Sequence, residues 1–370
     1  MNVNDHPGGV SALLNSNPAP LRFFAALGAL IIGLIAVAWS ITFMHNQEAP
    51  RLIILGVALI VGVPGVWGFF WINNYLVSLI PTESIRSKLQ PWVFLTPALI
   101  ILVIYLLYPA INTIYISFFD ARSDNYVGLE NYKFAFTDPN ILIAFRNNIL
   151  WITLVTFFSV SIGLIFAFLV DRVRYEALAK SLIFLPLAIS FVGASVIWRF
   201  IYAFAPAGRS QIGLLNAIVV QFGGEPVGWL IEKSFNNYAL IVIMIWLQTG
   251  FAMVILSAAI KGVPIETIEA ARIDGASALQ LFFRVIIPQI RGTIITVATT
   301  ILIGVLKVFD VVFVMTSGQF DTEVIANRMY QEMFRFRNFG HGSALAVILL
   351  VAVIPVMIIN IRNLRQQRGS

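Results

Sequence analysis

No cysteine occurs in this 370-residue chain, and only 11% of its residues are charged. The first absence removes disulfides, thiolate metal sites and cysteine nucleophiles, and leaves the redox compartment open. The second, beside an apolar content of 59%, removes a soluble core and leaves a polytopic membrane protein. Histidine is scarce as well. His6, His45 and His341 stand far apart, with no metal-ligand spacing between them. There is no Gly-x-x-x-x-Gly-Lys-Ser/Thr, and no lysine follows a glycine, so the chain has no phosphate-cradling loop of that kind. The apolar runs hold no paired histidines or carboxylates, which leaves a membrane-embedded enzyme without its machinery.

What the sequence has is long apolar runs bounded by charges. Eight are long enough for the ~20 residues a bilayer core demands: residues 23–43, 52–73, 92–119, 147–170, 181–204, 238–260, 292–316 and 343–361. The expected fold is therefore all-α. The first run is too long for a signal peptide and lacks a small-x-small cleavage site, so it reads as an uncleaved helix. An even number of spans puts both termini on one side. Cytoplasmic termini place thirteen Lys/Arg residues inside against nine outside, with Arg362, Arg365 and Arg368 as the strongest group. The net charge of +6 is mostly this topology signal plus attraction to the anionic lipid of the bilayer; the basic residues form no stripe with interleaved aromatics, so nucleic acid is not implied as a partner.

Residues 1–21 read as a polar, disordered cytoplasmic tail. Two helices over 22–90 precede a six-helix core over 91–362, and 363–370 form a basic tail. Three loops opposite the termini, residues 120–146, 205–237 and 317–342, are long enough to carry structure, either as caps on the bundle or as docking sites.

One charged island interrupts the apolar sequence at 261–291. Pro264 suits a first helical turn, Glu266 and Glu269 lie near that helix's positive end, and Gly275 after Asp274 suits a left-handed cap. Ser277 with Gln280 forms a capping box for a second helix, which Pro288 is expected to close. The residues alone allow either an amphipathic loop on the membrane surface or a handle for a soluble partner.

Glu269-Ala270-Ala271, then Gly275, then Val285-Ile286-Ile287-Pro288 resembles the signature of permease subunits in binding-protein-dependent ABC importers, with conservative departures at two positions. The resemblance covers roughly residues 92–362 and is similar to the carbohydrate, maltose-permease-like branch. It includes Trp92 to Ala98 with Tyr108-Pro109, Gly128 to Tyr132, Lys307 to Asp310, and Met315 to Gly318. Residues 322–330 and the two additional helices are most similar to alpha-glucoside permeases.

The resemblance implies an inner-membrane sugar importer subunit that works with a second permease, two ATP-binding subunits and an external solute-binding protein. It implies no cofactor on this chain, ATP being bound by the partners. The implied ATPase-coupling residues are Glu269, Ala270, Ala271, Arg272, Asp274, Gly275 and Pro288. The implied sugar positions are Leu247, Gln248 and Phe251, then Ile301, Gly304, Val305 and Val308. The last four share one helical face, but it is apolar, so ordinary packing remains the alternative. Lys307 and Asp310, three apart, are expected to form an intramembrane ion pair directed away from that face. A rival reading, an ion-coupled secondary transporter, would need an intramembrane carboxylate free to titrate.

Overall fold

The computed structural model describes residues 19–44, 50–80, 82–171 and 173–368; most of the expected N-terminal tail lies outside them. Among the described residues the fold is helical, with a single isolated bridge between Phe119 and Tyr126. The fourteen helices used below are α1 (Ala19–Met44), α2 (Arg51–Ser78), α3 (Glu83–Ile116), α4 (Glu130–Thr137), α5 (Pro139–Val170), α6 (Glu176–Phe184), α7 (Phe191–Ile201), α8 (Leu214–Gln221), α9 (Asn236–Lys261), α10 (Ile265–Ile273), α11 (Ala278–Leu306), α12 (Asp310–Met315), α13 (Ile325–Tyr330) and α14 (Phe339–Arg368).

Every expected span is occupied by helix. Six of these helices, α1, α3, α5, α9, α11 and α14, are long and apolar enough to cross a membrane, or seven spans if the bent pair α6 and α7 counts as one. The helix α2 adds 28 residues with Arg51 as its only charge. Two spans differ from the straight helices expected. The fifth bends by 100° between Ala188 and Phe191, where Pro186 sits in a 3-10 turn and Ser190 caps α7 by accepting from the Gly193 N–H at 3.1 Å. The seventh stops at Leu306 and resumes at Asp310. At the C-terminus, α14 continues to Arg368, so most of the expected basic tail is helical.

Proline placement accounts for another departure. Pro288 does not close the second helix of the insert; α11 runs through it into the membrane span. A proline lacks the N–H that would bond one turn back and its ring clashes there. The helix absorbs this with a π-turn over Leu281–Ile286, in which the Ile287 N–H reaches the Phe282 carbonyl. The same device precedes Pro109, where the Tyr108 N–H reaches the Val103 carbonyl.

The chain divides into two compact units, Met1–Ala110 and Ile111–Ser370, and the division falls within α3. In the first, α1 packs on α2 and α2 on the start of α3, with Phe70 stacked on Phe94 at 5.8 Å. In the second, α9 is the central helix and is packed most extensively against α5. Gly163 makes that approach possible, because a Cβ there would stand 2.6 Å from the Ala252 Cβ. Trp151, Leu240, Met253 and Leu256 fill the seam and are buried.

Candidate functional site

The two ends of this unit are distinguished by their contacts. At one end, the insert is rooted on a small apolar cluster of Val263, Leu281, Ile286 and Ile290, with Ile268 and Ala271 of α10 packed on it. Phe282 meets Phe168 of α5 at 4.5 Å. The opposite face of the insert is bare: Ile273 is 86% exposed, Leu279 70% and Phe283 61%, and Glu269, Ala270, Arg272, Asp274 and Gly275 are exposed beside them. Gly275 adopts φ +79° with nothing within 4 Å of a Cβ added there. Its turn is followed by the expected capping box between Ser277 and Gln280. Pro264 is the residue before α10 rather than in its first turn. A two-helix unit with one rooted face and one bare, mixed apolar and charged face is suited to hold a large soluble partner.

A charge cluster that the sequence reading missed sits at the root of the insert. Lys180 Nζ lies 2.6 Å from both Asp171 Oδ1 and Glu176 Oε1 and also donates to the Ser257 hydroxyl. Ser257 donates in turn to Asp171 at 2.7 Å, and Lys261 pairs with Glu176. The cluster ties the end of α9, where the insert begins, to the turn between α5 and α6. Its members are spread from 171 to 261, and no local spacing connects them.

At the far end, asparagines on α5 hold the segment after α12. Asn147 donates to the carbonyls of Asp321 and Glu323 at 2.7 and 2.8 Å; Asn148 donates to the Leu306 carbonyl at 3.1 Å and accepts from the Ile325 N–H at 2.9 Å. Within this segment Glu323 is buried, bonded to the Val324 N–H at 3.1 Å and to Asn327 at 2.6 Å. Burial pushes its carboxyl above the ordinary value despite those bonds. Left-handed Ser317, Gly318, Phe320 and Asp321 wrap the chain around it.

The expected cargo residues separate into two groups. Leu247, Ile301, Val305 and Val308 are buried in the largest apolar core, where they fill the packing around α9 and α11. Gln248 and Phe251 are half-buried and Gly304 is exposed. The expected ion pair does not form: α11 ends at Leu306, and the break turns the two charges toward different surroundings. Lys307 lines a cavity with Phe309, Met329 and Tyr330. Asp310 lines another, of about 360 Å³, with Leu247 and residues of the α6–α7 bend.

Comparison with known proteins shows what the chain is similar to. The model of a family described as binding-protein-dependent transport system inner membrane component matches residues 159–368. The osmoprotective compounds uptake permease protein GgtC of Synechocystis is 65% identical over 274 residues, covering 74% of this chain and 98% of that protein. The alpha-glucoside transport system permease protein AglF of Rhizobium meliloti is 47% identical over 86% of this chain and 99% of its own length. A solved bacterial ABC transporter that imports the acidic polysaccharide alginate shares the fold, with a TM-score of 0.65 at 21% identity over 76% of this chain and 98% of its own.

Proposed function

This chain belongs to the family of inner-membrane components of binding-protein-dependent transport systems, and from that premise we propose that it is a membrane-spanning subunit of an ATP-driven importer of a neutral polyhydroxylated solute. The cargo class, an alpha-glucoside or related disaccharide or an osmoprotective compound, is supported by the relatives of 47% and 65% identity. In this reading the insert faces the cytoplasm with both termini and receives ATPase subunits carried on other polypeptides. A second permease completes the bundle, and an external binding protein delivers the cargo.

The observation that carries this proposal is the insert itself, rooted on one face and bare on the other. Moving a bundle from almost wholly one state to almost wholly the other needs a bias of about 5.5 kcal/mol, which a floppy loop would dissipate. The experiment is uptake in proteoliposomes holding the complete complex, with ATP inside and loaded binding protein outside. Uptake should stop with vanadate and persist with a protonophore.

One observation favours the ion-coupled rival: Asp310 lacks the lysine partner expected for it. The opposite inhibitor pattern would establish that rival and overturn the importer reading.

A further inference from the structure

Two breaks in membrane-spanning helices meet at one cavity. The bend between α6 and α7 contributes Ile189, Ser190 and Phe191, and the break between α11 and α12 contributes Asp310. Leu247, about three turns into α9, lies between them. Non-helical backbone within a span is tolerated where protein buries it or where it lines a watered cavity, and in secondary transporters paired helix interruptions mark cargo sites. The volume of about 360 Å³ falls within the ~300–1,000 Å³ of small-molecule sites.

Asp310 is half-buried, and among the described residues its carboxylate has neither an ion-pair nor a hydrogen-bond partner. Lys307, three residues before it, faces a different cavity. Across the cavity, Ser190 Oγ accepts from the Gly193 N–H at 3.1 Å, which leaves the hydroxyl proton to donate. Phe191, 39% exposed, offers an apolar face at the rim. An ionised carboxylate is purely an acceptor with about four lone-pair sites, and its bonds to hydroxyl donors are the strong, charge-assisted kind. It also repels an anion.

We propose that Asp310 reads the hydroxyls of the cargo, in a subsite framed by the two helix breaks that admits neutral polyols and excludes carboxylated ones. This subsite lies beside the buried Ile301-to-Val308 face, and it rests on the importer reading above. As the first residue of α12, Asp310 could instead serve only that six-residue helix; a purely local role predicts no dependence on the structure of the cargo.

The test uses the complete reconstituted complex with wild-type chain, Asp310→Asn and Asp310→Glu, supplied with binding protein loaded with a cargo or with its deoxy analogues that still load. Wild type should move the parent cargo about ten- to a hundredfold faster than the analogue lacking the recognised hydroxyl, the span expected for one hydrogen bond to a charged group. In Asp310→Asn that preference should collapse, so that the parent cargo and the analogue move at similar rates. Asp310→Glu, which keeps the charge, should retain part of the preference. Equal discrimination in wild type and Asp310→Asn overturns the subsite and leaves the importer reading intact. Absence of ATP-dependent uptake of every polyol by wild type overturns the importer reading itself. If Asp310→Asn fails to assemble, Asp310→Ala decides: discrimination unchanged from wild type counts against Asp310, and a reduced ratio supports it.

Discussion

At Gly275 the cost of a side chain is purely conformational, because φ is +79° and the space around it is open. A non-glycine residue held in a sparsely populated backbone region costs about 1–3 kcal/mol, most for a β-branched one. The turn of the insert should therefore deform in the order Gly275→Asn, Gly275→Ala, Gly275→Val. Membrane insertion should be normal in all three, with cargo moved per ATP falling along the series; normal coupling in Gly275→Val would show that the turn transmits nothing. Glu323 offers a different residue-scale reading. Its folded carboxyl lies above the ordinary value of 4.5 because it is buried, so the folded state holds that proton more tightly than the unfolded one. Its contribution to stability is full below the ordinary value and is lost as pH rises through the folded one. Glu323→Gln keeps an acceptor for the Val324 N–H and Asn327, and should flatten this dependence. Melting temperatures of the solubilised protein between about pH 4 and pH 7 check it, and identical slopes would mean that burial does not raise the Glu323 carboxyl above its unfolded value.

Elements were legible in the sequence wherever one local rule decided them. Charge-free length located the spans, and Gly275 with the Ser277–Gln280 box fixed the turn and second helix of the insert. Pro288 misled because proline's clash can be relieved by a π-turn as well as by ending the helix, and the choice depends on burying Leu281, Phe282 and Ile286. The break after Leu306 was hidden because Asn148, far away in sequence, takes the Leu306 carbonyl that a continued helix would have used. Long-range polar partners hid the cluster at Lys180 in the same way. Its side chains are 12% exposed at Asp171 and 20% at Lys180, so removal of either of those charges should cost less than the ~3–5 kcal/mol of a fully buried pair, on the order of 1–3 kcal/mol. Lys180→Met should lower the melting temperature, and adding Asp171→Asn should cost less than it does in the wild-type background. Strict additivity of the two would show that the end of α9 is not held to the α5–α6 turn by this pair.

For the molecule as a whole, the question is what the first two helices contribute. The relative of 65% identity aligns over 98% of its own length with 74% of this chain, so nearly all of that protein does without about a quarter of this one. The family match begins at 159, and the first compact unit ends within α3. A cut just before Glu83 leaves α3 whole and removes α1 and α2. With α2 counted as a span beside α1, removing the pair leaves every remaining span in its original direction, and Arg86 and Lys88 at the new N-terminus still vote for the same side. The apolar side chains of α3 that α2 covers, Phe94 among them, would meet lipid, in which their exposure carries no hydrophobic cost. The shortened chain is therefore expected to insert, assemble with its partners and retain ATP-dependent uptake. Membrane fractionation, co-purification with the ATPase subunits and vesicle uptake check the three steps separately. Assembly without uptake would place α1 and α2 in the transport cycle itself, and would make the 65% identical relative a poor guide to how this subunit moves its cargo.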